Sequence, residues 1–141
     1  MLFHLEEIEA LSGVKVRRRQ LWYAAVAETP DIESFISLAN LSYTLDYDLV
    51  QTLYLRYCRG TEVVAEREVT LAPFGSVLLP VRELFGSEMR GLAGRGEEYG
   101  GILVYPKTGK TYCGSYLLLE RRTGRFFLEH LSPVPKHPSE H

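Results

Sequence analysis

Two hydrophobic periods divide the chain. Leu2, Leu5, Ile8 and Leu11 recur every three residues, Glu6, Glu7 and Glu9 fall between them, and Ser12-Gly13 supplies a stop. That spacing predicts a short amphipathic helix over 2–12. From Val14 onward the pattern changes to period two or to short apolar runs, which predicts strands at 14–19, 21–28, 34–40, 49–59, 62–72, 76–81, 101–106, 111–120 and 125–131. Turn-forming residues separate them, among them Thr29-Pro30-Asp31, Pro73-Phe74-Gly75 and Thr123-Gly124. The clearest alternation places Leu53, Leu55 and Tyr57 on one strand face. In the next run Val63, Ala65, Val69 and Leu71 share a face opposite Glu62, Glu66, Glu68 and Thr70, and Val64 and Arg67 break the rule. Joined at Arg59-Gly60-Thr61, the two runs predict a β-hairpin. Short strands at ~8–12-residue spacing point to an all-β protein, an antiparallel β-sandwich with a barrel as the alternative.

Two stretches break the rhythm. Pro80 to Phe85 reads as one helical turn stopped by Gly86. Gly86 to Gly101 then carries six of the twelve glycines among Arg90, Arg95, Glu97 and Glu98, and it reads as a long mobile loop open to proteolysis between Glu88 and Glu98. Ser132 to His141 holds three prolines and reads as an extended or disordered tail. The expected organisation is one sandwich domain over 1–131 and a flexible tail over 132–141.

Composition narrows the function classes. The 141 residues are 45% apolar and 24% charged, with a net charge of -2, so a charge-driven disordered chain is excluded and a single core is affordable. A pI of about 6.1 carries no strong nucleic-acid signal. Cys58 and Cys113 stand apart, with no metal-ligand spacing, and are expected as buried, reduced strand thiols, with a single bridge as the alternative. No signal peptide and no apolar stretch long enough for a membrane span is present, so a cytoplasmic location is the default expectation.

Catalytic patterns are thin. Thr108-Gly109-Lys110-Thr111 ends like a phosphate-binding loop, but Val104 stands where that motif needs glycine, and strand residues follow it. His4, His130, His137 and His141 form no zinc pattern, and Asp46 and Asp48 read as a solvated pair. No metal, cofactor or catalytic residue is expected. Two groups are candidates for binding. Arg17 and Arg19 lie on one face of a predicted strand with Trp22 close by, an arrangement suited to anions or stacked bases, or simply a charged edge strand. In the Gly-rich stretch Arg90, Arg95 and Tyr99 offer guanidinium donors and an aromatic anchor.

The order Trp22…Ala27-Glu28, Phe35-Ile36-Ser37-Leu38-Ala39-Asn40, Thr52-Leu53-Tyr54-Leu55-Arg56-Tyr57 and Val69-Thr70-Leu71-Ala72-Pro73 resembles the sensory rhodopsin transducer family of small β-sandwich proteins, over residues 22 to about 122. The resemblance implies a cytoplasmic, oligomeric sandwich that works by binding a partner protein. It carries over no functional residue. The function expected is therefore a non-enzymatic interaction module, homo-oligomeric and acting through a partner protein. The alternative is a small-ligand sensor (anion, nucleotide or sugar) or an enzyme with its pocket under 86–101. Nine tyrosines, six phenylalanines and Trp22 exceed what one small sandwich buries easily, and large apolar residues fall on both faces of the strand ending at Leu119; both favour self-association.

Overall fold

The computed structural model describes residues 21–41, 50–107 and 112–133. In chain order these form β1 (Trp22–Glu28), β2 (Ile32–Asn40), β3 (Gln51–Arg59), β4 (Glu62–Leu71), β5 (Ser76–Pro80), the short helix α1 (Val81–Phe85), a 3₁₀ turn (Gly86–Glu88), a second short helix α2 (Arg90–Gly94), β6 (Glu98–Pro106), β7 (Tyr112–Glu120), β8 (Phe126–His130) and β9 (Ser132–Pro133). One sheet has the order β4-β3-β6-β1-β9 and the other β5-β2-β7-β8, and every strand pair is antiparallel. The fold is all-β, two sheets without closure into a barrel. The predicted helix 2–12, the strand 14–19, Asp46, Asp48 and the Thr108–Thr111 turn lie outside the described residues.

Alternation explains the core. Ala24 and Val26 of β1, Leu53, Leu55 and Tyr57 of β3, and Ile102 and Val104 of β6 point inward from the first sheet. They meet Ile36 and Leu38 of β2 in a single buried cluster with Phe85 and Met89. The first sheet also buries apolar groups on its other face, where Leu21, Tyr54, Cys58, Leu103 and Tyr105 form a second cluster.

The two residues that break alternation in β4 each have a structural cause. The β3–β4 register shifts between Tyr57 and Cys58, so Val64 is the extra residue of a β-bulge. Val63 therefore does not share a face with Ala65, as strict alternation predicts. It lies opposite Cys58 and is partly exposed. Arg67 stays on the inner face, where its guanidinium lies 5.3 Å from the centre of the Phe85 ring and pairs with Glu88 at 2.5 Å.

The Gly-rich stretch departs most from expectation. It is not a loop without structure of its own: the 3₁₀ turn, α2 and the first four residues of β6 occupy most of it. Glycine supplies close approach here rather than flexibility. A Cβ on Gly91 would overlap the Glu97 carbonyl oxygen, so only glycine lets α2 lie this close to the start of β6. Met89 is buried in the core as an anchor. The tail expectation also changes at its start. Leu131 turns inward, and Ser132–Pro133 pairs with Tyr23 and Trp22, carrying the chain from one sheet to the other. No disulfide joins the two cysteines: Cys58 is buried, and Cys113 is exposed.

Candidate functional site

Two surfaces hold the chemistry the sequence offers. The first lies at the end of the sandwich where β1 finishes and β6 begins. Glu28 and Glu98 face each other directly in the β1–β6 register, and both carboxylates are buried. Two buried anions on neighbouring strands are tolerable only if each is matched by donors. The backbone N–H of Ser34 donates to Glu28 at 2.9 Å and Arg82 donates at 3.0 Å. Glu98 accepts from Arg59 Nε at 2.7 Å, the Gly91 N–H at 2.7 Å and the Tyr57 hydroxyl at 3.0 Å.

These bonds tie the connecting segment to the first sheet, and the Ser34 N–H bond to Glu28 links that sheet to β2. Arg82 belongs to α1, Gly91 to α2, and Arg59 reaches the Glu88 carbonyl as well. The electrostatics agree. Burial alone raises the Glu98 carboxyl, but the donors from Arg59, Gly91 and Tyr57 outweigh it and hold the group below its ordinary value. Burial first, then the bond to Glu98, pushes the Tyr57 hydroxyl well above its usual range. A carboxylate whose lone pairs already meet three donors is a clamp and has no proton to exchange near neutrality.

Above this clamp Arg90, Arg95 and Tyr99 come together with Arg59, Gly91 and Glu97 around an open groove of about 410 Å³. Three of the predicted binding residues thus share one surface. Trp22 does not join them. It sits at the opposite end of β1, beside a smaller cavity of about 190 Å³ lined by Tyr112, Cys113, Gly114, His130 and Leu131. Arg17 and Arg19 lie outside the described residues.

The second surface is the β7–β8 hairpin. β8 is the last strand of its sheet, and its outer edge has no neighbouring strand among the described residues. Phe126, Phe127 and Leu128 are 64%, 52% and 56% exposed, which leaves large apolar groups on both faces of an open edge. Sheet edges are normally blunted by charge, proline or a cover, because an unpaired row of N–H and C=O groups recruits other strands. At the β7–β8 turn opens a groove of about 590 Å³, lined by Ile32, Leu118, Phe126 and Phe127 together with Asp31, Glu120, Arg122 and Arg125.

No family model matches the chain, and no curated protein or solved structure matches it significantly. No helix among the described residues is long and apolar enough to cross a membrane.

Sequence reasoning missed Glu28, Glu98 and the edge role of β8, though Glu28 and β8 each left a trace. Glu28 continues the inward phase of Ala24 and Val26, which marks it as a buried anion in need of cations. Phe126-Phe127-Leu128 is apolar on consecutive positions, a pattern a half-buried strand does not require.

Proposed function

We propose that this protein is a non-enzymatic interaction module that accepts a strand from a partner protein along β8. The observation that carries the reading is the open β8 edge with Phe126, Phe127 and Leu128 exposed on both faces. In strand addition the backbone ladder supplies affinity and flanking pockets read alternate side chains. Here the 590 Å³ groove opens beside Phe126 and Phe127, at the start of that edge. The groove bearing Arg90 and Arg95 is the second reading. Neither arginine has an ion-pair partner among the described residues, so both are available to an anionic ligand.

The test is a photo-crosslinking amino acid placed at Leu128 in the full chain expressed in cells. Phe74, equally exposed but off the β8 edge, serves as the control position. Protein adducts at Leu128 well above those at Phe74 are the expected result. Equal yields at both positions would remove β8 as the working surface and leave the arginine groove.

A further inference from the structure

We infer that β8 is built to pair with β8 of a second copy of this chain, antiparallel and in one register centred on Phe127. This rests on the reading of β8 as a strand-accepting edge and adds the identity of the strand it accepts.

The backbone ladder limits the registers. The Glu120 N–H donates to the Arg125 carbonyl at 2.8 Å, and the Leu131 N–H donates to the Gly114 carbonyl at 3.1 Å. Arg125 and Leu131 thus direct their backbone groups toward β7, and so, by alternation, do Phe127 and Glu129. The outward N–H and C=O groups belong to Phe126, Leu128 and His130. A second strand can bond only to those, so a two-fold pairing must place even-numbered residues opposite even-numbered ones.

Three such registers overlap the apolar run, and side-chain chemistry separates them. Centred on Leu128, the pairing sets Phe127 against Glu129 and Phe126 against His130. Centred on Phe126, it sets Arg125 against Phe127. Centred on Phe127, it sets Phe127 against itself, Phe126 against Leu128 twice, and Arg125 against Glu129 twice. The segment Arg125-Phe126-Phe127-Leu128-Glu129 is in effect a chemical palindrome, with a cation at one end, an anion at the other and apolar residues between.

The ladder reinforces the choice. Phe126 and Leu128 would form the hydrogen-bonded pairs. The Arg125–Glu129 and Phe127–Phe127 pairs would take the non-bonded positions, where opposing side chains approach most closely. Neither Arg125 nor Glu129 has a salt-bridge partner among the described residues, so neither must give one up. The apolar rows also continue across the junction. Phe35, Leu117 and Leu128 already lie side by side on the outer face, and Phe126 of the second copy, then its Leu119, would extend that row. On the other face the Phe127 ring, 6.2 Å from Tyr116, would meet its symmetry mate. Two four-stranded sheets would become one of eight strands.

Charge reversal tests the register without touching the core, since Arg125 and Glu129 are exposed. The full chain should sediment at twice its 16.1 kDa mass at tens of micromolar. Arg125→Glu alone sets two carboxylate pairs across the junction, and Glu129→Arg alone sets two guanidinium pairs. Each should raise the dissociation constant by roughly 10- to 100-fold. Mixed in equal amounts, the two variants should recover the dimer, because each then meets the opposite charge at both ends. The double variant Arg125→Glu/Glu129→Arg should dimerise by itself.

Phe127→Cys should form an interchain disulfide on oxidation and Phe126→Cys should not, with Cys113→Ser as background for both. A wild-type chain that stays monomeric at 100 µM, a dimer indifferent to both reversals, or a mixture that does not recover would each overturn the proposal. If self-pairing fails in this way while Leu128 still crosslinks to other proteins, the strand-accepting edge stands and only its occupant was wrong. If Leu128 gives no excess of adducts either, both readings fall.

Discussion

Replacing Glu98 by glutamine removes one charge and keeps nearly the same volume, so it isolates the electrostatic content of the clamp. One carboxylate oxygen accepts from Arg59 Nε and the Tyr57 hydroxyl, and the other from the Gly91 N–H. A glutamine amide has one oxygen and one NH₂. Facing its NH₂ to Gly91 sets donor against donor; flipping it sets NH₂ against Arg59, which cannot accept. At least one buried donor is therefore opposed, at about 1–3 kcal/mol, and the charge assistance to Arg59 is lost as well. Arg59 retains partial contact with water, so part of its loss is recovered. The expected destabilisation is about 2–4 kcal/mol, or roughly a 6–15 °C fall in melting temperature for a domain of this size.

Urea unfolding followed by the fluorescence of the single tryptophan, Trp22, measures it as a lower midpoint at unchanged slope. Glu62→Gln is the control, since Glu62 is exposed and also pairs with Arg59; it should shift stability by less than about 0.5 kcal/mol. The pH dependence has a definite sign. Glu98 is held below its ordinary value in the folded state, so its contribution is complete above the unfolded-chain value, ~4.3, and is lost as pH falls through the folded value. The gap between wild type and Glu98→Gln should therefore narrow below about pH 4.3. A loss under about 0.5 kcal/mol at pH 7 would show that the three donors around Glu98 add nothing beyond solvation, and would refute the clamp.

Two further outcomes follow from the same contacts. Wild-type protein should resist proteolysis between Glu88 and Glu98, because α2 and the start of β6 are pinned there. Gly91→Ala, whose Cβ overlaps the Glu97 carbonyl, should lose about 1–3 kcal/mol and be cut in this segment first; equal resistance in both proteins would refute the close-packing argument. In native buffer a thiol reagent should modify one cysteine per chain, Cys113, with Cys58 reacting only after unfolding; two fast-reacting thiols would contradict the burial of Cys58.

The strands were legible because their information is local. Period-two alternation, glycine and proline at turns, and β-branched or aromatic runs located each described strand longer than two residues to within a few residues, and with them the all-β class. The tight hairpin at Gly60 and the helical turn before Gly86 were legible for the same reason. Even the irregular residues Val64 and Arg67 were visible as breaks in a pattern.

What the sequence left undetermined depends on which strands become neighbours. Composition marks 86–101 as flexible, yet Gly91 is small because the start of β6 lies against it, a fact created only when the sheets assemble. Glu28 and Glu98 are 70 positions apart, and nothing local marks them as neighbours. Pairing β1 with β6 buries both and obliges Arg59, Arg82 and Tyr57 to answer them. The exposure of Phe126, Phe127 and Leu128 likewise follows from strand order. Those residues, placed in the middle of a sheet, would be ordinary core, and only their position on its last strand leaves an apolar, self-matching edge open.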